Sequence, residues 1–128
     1  MKPTTAEWVA KAEDDYAVME RESRVVAHPS YDAVCFHAQQ CAEKYLNARL
    51  CKADAAFGKT HDLVALLDLV LEYEPAWETF RQDLAYLTDF AVSVRYPGES
   101  ADRDSAVEAQ QRCCAFRVAA RQSLGLDV

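Results

Sequence analysis

Glycine and proline are scarce, with 3 Gly and 4 Pro in 128 residues. Few sharp turns are therefore available, and long helices with short connections are expected. No segment alternates at strand period, and no Asn-Gly hairpin signal occurs. No run approaches the ~18 apolar residues of a membrane span. The N-terminus, MKPTTAEW, lacks the apolar stretch of a secretion signal. Cationic residues are also in deficit: 14 Lys and Arg face 21 Asp and Glu, for a net charge of −7. The broad basic surface of a free-standing nucleic-acid binder is absent. Contact with a nucleotide or RNA would need a local cluster or a patch assembled between chains.

Cysteine is present but not patterned. Cys35, Cys41, Cys51, Cys113 and Cys114 make an odd number without a CxxC pair. They read as reduced thiols of a cytoplasmic protein, with no metal site and no cofactor. Histidine is limited to His28, His37 and His61. Hydrophobic residues at 51% and charged residues at 27% describe one globular domain.

The pattern that is there is helical. Thr4 or Thr5 is positioned to cap a first helix, with Trp8, Ala12, Tyr16 and Met19 on its inner face and Glu13, Asp14, Glu20, Arg21 and Glu22 on the other. Pro29 sets its end near Ala27. Ser30 opens a second helix whose seam is Val34, Ala38, Cys41, Tyr45 and Ala48. After the loop "CKADAAFGKT", Thr60 caps a third helix with Asp62 in its first turn and an apolar stripe from Leu63 to Leu71. This helix could be a shorter element lying across the bundle end. Pro75 suits the start of a fourth, with Phe80, Leu84, Leu87, Ala91 and Val94 inward. Asp102 or Asp104 caps a fifth, expected to bury Val107, Cys114 and Val118 and to fade at Gly125. The fold class is all-α: an up-and-down four-helix bundle with an additional short or fifth helix.

Three polar groupings are candidates for chemistry. In "FHAQQCAEKYL", His37, Gln40 and Lys44 lie on successive turns. They read either as a solvated face, with Glu43 and Lys44 at its rim, or as an interface with a partner. In "GKTHDL", Lys59, Thr60, His61 and Asp62 surround a helix start, where backbone N–H groups can hold a phosphate. Ala53 stands where a P-loop needs its first glycine, so this is not one. In "SVRYPGES", Arg95 closes an apolar run before Tyr96-Pro97-Gly98. A cation there suits the last carbonyls of a helix, and also a phosphate. No serine sits in a nucleophile elbow, and no DxD or HExxH spacing occurs.

"FHAQQCAEKYLNARL", "GKTHDLVALL" and "SVRYPGES", in that order and with the early Trp8, resemble the HEPN (higher eukaryotes and prokaryotes nucleotide-binding) domain from about residue 5 to 122. The resemblance implies one helical domain that commonly forms a homodimer. It implies a prokaryotic protein paired with a minimal nucleotidyltransferase in a toxin–antitoxin-like module, with nucleotide binding. Many members are metal-independent RNases carrying Arg-x(4–6)-His, in which histidine moves a proton and arginine stabilises phosphate charge. Here positions 100 to 102 are Ser100, Ala101 and Asp102, and no histidine follows Arg95. Arg21 and His28 match the spacing, but at the end of the first helix rather than where the family keeps its motif. The chain thus resembles the group without the RNase motif. It is expected to be a binding module rather than an enzyme, with Lys59, His61, Arg95 and Tyr96 as nucleotide or phosphate ligands at one bundle end. His37, Gln40 and Lys44 are the candidate interface, and the second and fourth helices the expected dimer surface. An RNase using His61 or His28, and a scaffold without ligand, are the alternatives.

Overall fold

The computed structural model describes residues 1–93 and 96–128, without the side chains of 91–93. Among them are five α-helices: α1 (Pro3–Ser23), α2 (Tyr31–Lys52), α3 (Leu63–Val70), α4 (Arg81–Ser93) and α5 (Arg103–Ser123). A 3₁₀ segment, Pro75–Phe80, leads directly into α4. There is no strand among the described residues, and the all-α bundle expected from the sequence is what forms. No described helix is long and apolar enough to cross a membrane.

The second helix is the axis of the bundle. It packs against α1, α3, α4 and α5, and the whole expected seam from Val34 to Ala48 is buried. Because it is covered on several sides, its polar residues Gln39, Glu43 and Asn47 are buried as well. Leu63, Leu66, Leu67 and Val70 of α3, and Leu84 and Leu87 of α4, complete the core as their spacing predicts. Ala91, Val94 and Arg95, which the sequence places at the end of α4, lie outside the described side chains.

Caps explain most boundaries. Ser30 accepts from the Ala33 N–H, and Asp102 accepts from the Ser105 N–H at 2.8 Å. At α3 the cap is Asp62, whose Oδ1 accepts from the N–H groups of Val64 and Ala65. Thr60 stands two residues earlier and accepts from the Asp62 N–H. At α1 neither threonine caps. Pro3 occupies the first turn, where its missing N–H costs nothing. Thr5 is buried instead, donating to Cys51 Sγ at 3.2 Å. The helix ends at Ser23 rather than near Ala27. Reversal into α2 takes up the intervening residues, with His28 at φ 54° before Pro29.

The register of α5 differs from the hydrophobic reading. Val107 and Val118 are 43% and 39% exposed and Cys114 is half-buried. The buried face is Ala106, Ala109, Cys113, Phe116 and Ala120. Small residues let α5 approach α2 closely. Phe116 then fills the remaining space, edge-on to Trp77 at 5.1 Å and to Phe80 at 5.3 Å. Close approach outweighs the larger apolar area of the valines.

Candidate functional site

Two buried carboxylates organise the polar face of α2. Asp15, from α1, is 8% exposed. His37 Nδ1 donates to its Oδ1 at 2.8 Å, and Lys44 Nζ reaches its Oδ2. The candidate interface residues His37 and Lys44 are therefore paired within the chain, across the α1–α2 seam. Gln40, between them, donates to Gln39 Oε1 at 2.7 Å. These three contribute only the edge of a surface, with His37 and Lys44 side chains 26% and 21% exposed.

The second carboxylate is Glu43. Its side chain is 9% exposed, not a solvated rim. His61 Nδ1 donates to Glu43 Oε1 at 2.8 Å, while 60% of the His61 side chain remains exposed. Gln39, one turn earlier on α2, donates to the His61 carbonyl at 2.9 Å. The loop carrying His61 is anchored further back where Phe57 meets Trp8, ring centroids 6.2 Å apart. The Leu63 N–H, donated to Thr88 Oγ1, ties the start of α3 to α4. Loop, ring and carbonyl are thus held to three helices, and the imidazole is left at the surface.

This arrangement has clear chemical capacities. With Nδ1 committed to Glu43, the free ring position of His61 is Nε2, which can donate to or accept from a ligand. Lys59, two residues away, is exposed and has no hydrogen bond or ion pair among the described residues. Asn47, one turn beyond Glu43 on α2, has a buried Oδ1 without a hydrogen bond. Tyr96 is 64% exposed. Arg95, the fourth candidate ligand, lies outside the described residues, so its approach to His61 is not part of this geometry. The structure brings His61 to Glu43 and Gln39, which the sequence did not pair. Both sit in "FHAQQCAEKYL", and their four-residue spacing already places them on one helix face.

A third polar cluster is closed. Arg117 donates two bonds to Glu13, at 2.8 and 2.6 Å, while its guanidinium lies 4.0 Å from the Tyr16 ring centre. The fully buried Tyr45 donates to Glu13 and accepts from Arg121. Burial alone would raise the Glu13 carboxyl, but the Arg117 and Tyr45 hydrogen bonds and the two arginine charges hold it below its ordinary value. Burial, then the hydrogen bond to Glu13, pushes the Tyr45 hydroxyl well above its ordinary value. Glu13 thus belongs to a seam and not to the solvent face its helix pattern assigned it. The five cysteines are free thiols. Among the described residues no group of three or more His, Cys, Asp or Glu could hold a metal ion.

Against known proteins, the family model described as HEPN domain matches residues 5–121. A search of curated proteins and a search of solved structures each returned no match. Since the matched stretch takes in all but the ends of the chain and the fold is helical throughout the described residues, this protein belongs to the HEPN domain family.

Proposed function

We infer that the chain is a HEPN binding module, not a nuclease. It presents the His61–Lys59 corner to a nucleotide phosphate and works as a homodimer with a minimal nucleotidyltransferase in a toxin–antitoxin-like pair. The observation that carries the reading is the clamp on His61. A buried carboxylate and a buried amide hold a residue whose side chain is 60% exposed. Such fixation contributes little to the core and pre-orients a polar group for a ligand. Lys59 supplies an ammonium without an internal partner, and exposed Tyr96 offers a ring for a base. Arg95, in the Tyr-Pro stretch, would add a second cation. The lack of a histidine after Arg95 favours binding over Arg–His cleavage.

Titration of labelled protein with ATP tests the site. Saturable shifts at Lys59, His61, Arg95 and Tyr96 are expected, and their absence at millimolar nucleotide removes the site. Incubation with RNA, beside Arg95→Ala, tests the rest. Wild-type protein should leave RNA intact, and cleavage abolished by the substitution would make the chain a nuclease. Co-expression with an adjacent nucleotidyltransferase gene should yield a complex.

A further inference from the structure

A separate cavity, of about 390 Å³, opens where the linker after α1, the start of α2 and the start of α5 meet. Its volume falls in the range of small-molecule sites, about 300–1,000 Å³. The floor is apolar: Val34 and Ala106 are 2% and 4% exposed, and the half-buried Tyr31 adds a ring. Val25, Val26 and Val107 also line it, and they are three of the eight large apolar residues exposed among the described residues. Such clustering of exposed apolar surface around a cavity marks a binding site better than scattered valines do.

The charge at this cavity reverses that of the chain. Acidic residues outnumber basic ones 21 to 14 overall. Yet the lining contains Arg24 and Arg103 and no carboxylate. Arg24 Nη2 donates to Glu20 Oε2 at 3.1 Å, and Gln110 donates to Glu20 Oε1 at 3.2 Å, so Glu20 is engaged at both oxygens. Arg103, the first residue of α5, has no ion pair among the described residues. Among the lining residues Arg103 is therefore a cation without an ion-pair partner over an apolar floor, with Asp102 and Asp104 beside it in sequence but outside the lining. Within the rim, Pro29 has its own φ set by its ring.

We propose that this cavity binds a small organic monoanion, with its apolar body on Tyr31, Val34 and Ala106 and its single carboxylate or sulfonate end on Arg103 and Arg24. One unpaired arginine suits a single anionic group better than a triphosphate, and the apolar floor and rim favour an anion with an apolar body.

The test uses the full chain and 8-anilinonaphthalene-1-sulfonate as the fluorescent probe. Saturable binding is expected, displaced by octanoate or phenylpropionate and not by octylamine. Arg103→Gln should weaken it about ten-fold, the value of one charge-assisted contact. Val107→Glu, which places a like charge at the exposed rim, should weaken it at least as much. Arg81→Gln, at the distant start of α4, should leave it unchanged. Arg103 and Val107 are exposed, and the pairs of Arg81 with Glu78 and Asp68 are solvent-exposed ones that contribute little to stability, so thermal midpoints should stay near wild type and keep the comparison valid. Non-saturable fluorescence, equal displacement by the amine, or unchanged affinity in both Arg103→Gln and Val107→Glu would overturn the proposal. The nucleotide shifts at His61 are read separately, so either site can fail alone.

Discussion

Glu13 and Glu43 are both glutamates drawn into a helix seam, yet they do opposite things. Glu43 is the more buried, at 9% side-chain exposure against 32% for Glu13. Its partner His61 is nevertheless 60% exposed, whereas Arg117, the partner of Glu13, is 17% exposed. Around Glu13, hydrogen bonds join α1, α2 and α5 through Arg117, Tyr45 and Arg121. Around Glu43, the buried groups hold one loop residue at the surface. A closed network of this kind fixes how helices pack, while an open one aims a side chain. Stability should therefore follow Glu13, and ligand response should follow Glu43.

The largest effect that would break this contrast is expected at Glu13. Glu13→Ala leaves the Arg117 guanidinium and the Tyr45 hydroxyl without their acceptor. It should cost about 2–3 kcal/mol in urea unfolding, as for other part-buried charged hydrogen bonds. A loss within the error of the measurement would make the network decorative. Tyr45→Phe keeps the ring and removes the hydroxyl bonded to Glu13 and Arg121. About 1–2 kcal/mol is expected, with the fold intact by circular dichroism.

Acid should reveal the same asymmetry. Glu13 titrates below its ordinary 4.5 in the folded protein, because its arginine and tyrosine partners outweigh burial. A carboxylate with a depressed folded pKa contributes stability above its unfolded value and loses it as pH falls through the folded one. Glu74 is lowered in the same sense: burial opposes, and hydrogen bonds from Ser123 and Arg49 prevail. Wild-type protein should thus lose stability from about pH 4.5 downward, and Glu13→Gln should lose less over that interval. Parallel pH dependences would remove Glu13 from the account.

The smallest stability effect belongs to the open region. Glu43→Gln retains a hydrogen-bond acceptor for the exposed His61, so a cost under about 1 kcal/mol is expected. Its consequence should appear in the ligand response, with nucleotide-induced shifts at His61 reduced while the unfolding midpoint barely moves. A cost as large as that of Glu13→Ala would place Glu43 with the structural network.

Much of this fold was legible because helix caps and apolar spacing are local. Ser30 and Asp102 cap where their side chains predict, and the seam from Val34 to Ala48 is buried throughout. The face of α5 was not legible. Valine outranks alanine in hydrophobicity, but closeness to α2 selects Ala106, Ala109 and Ala120. The candidate site was legible in part. "GKTHDL" supplied Lys59 and His61, but nothing local says that His61 is paired with Glu43, 18 residues earlier. Asp15 and Glu13 were likewise hidden, since a charged residue on a helix pattern reads as solvent-facing until a second helix covers it.

By itself, the sequence determined the helical class, the caps of α2 and α5, the core faces of α2 and α3 and the family. These follow from backbone propensity, cap chemistry and the spacing of apolar residues, all set within a few turns of chain. Only the tertiary structure decided which charges became partners. It buried Asp15, Glu43 and most of the Glu13 network between helices, and it gathered Arg24 and Arg103 over one apolar cavity. Burial and pairing depend on residues far apart in sequence, and their strength depends on how much water the assembled helices exclude.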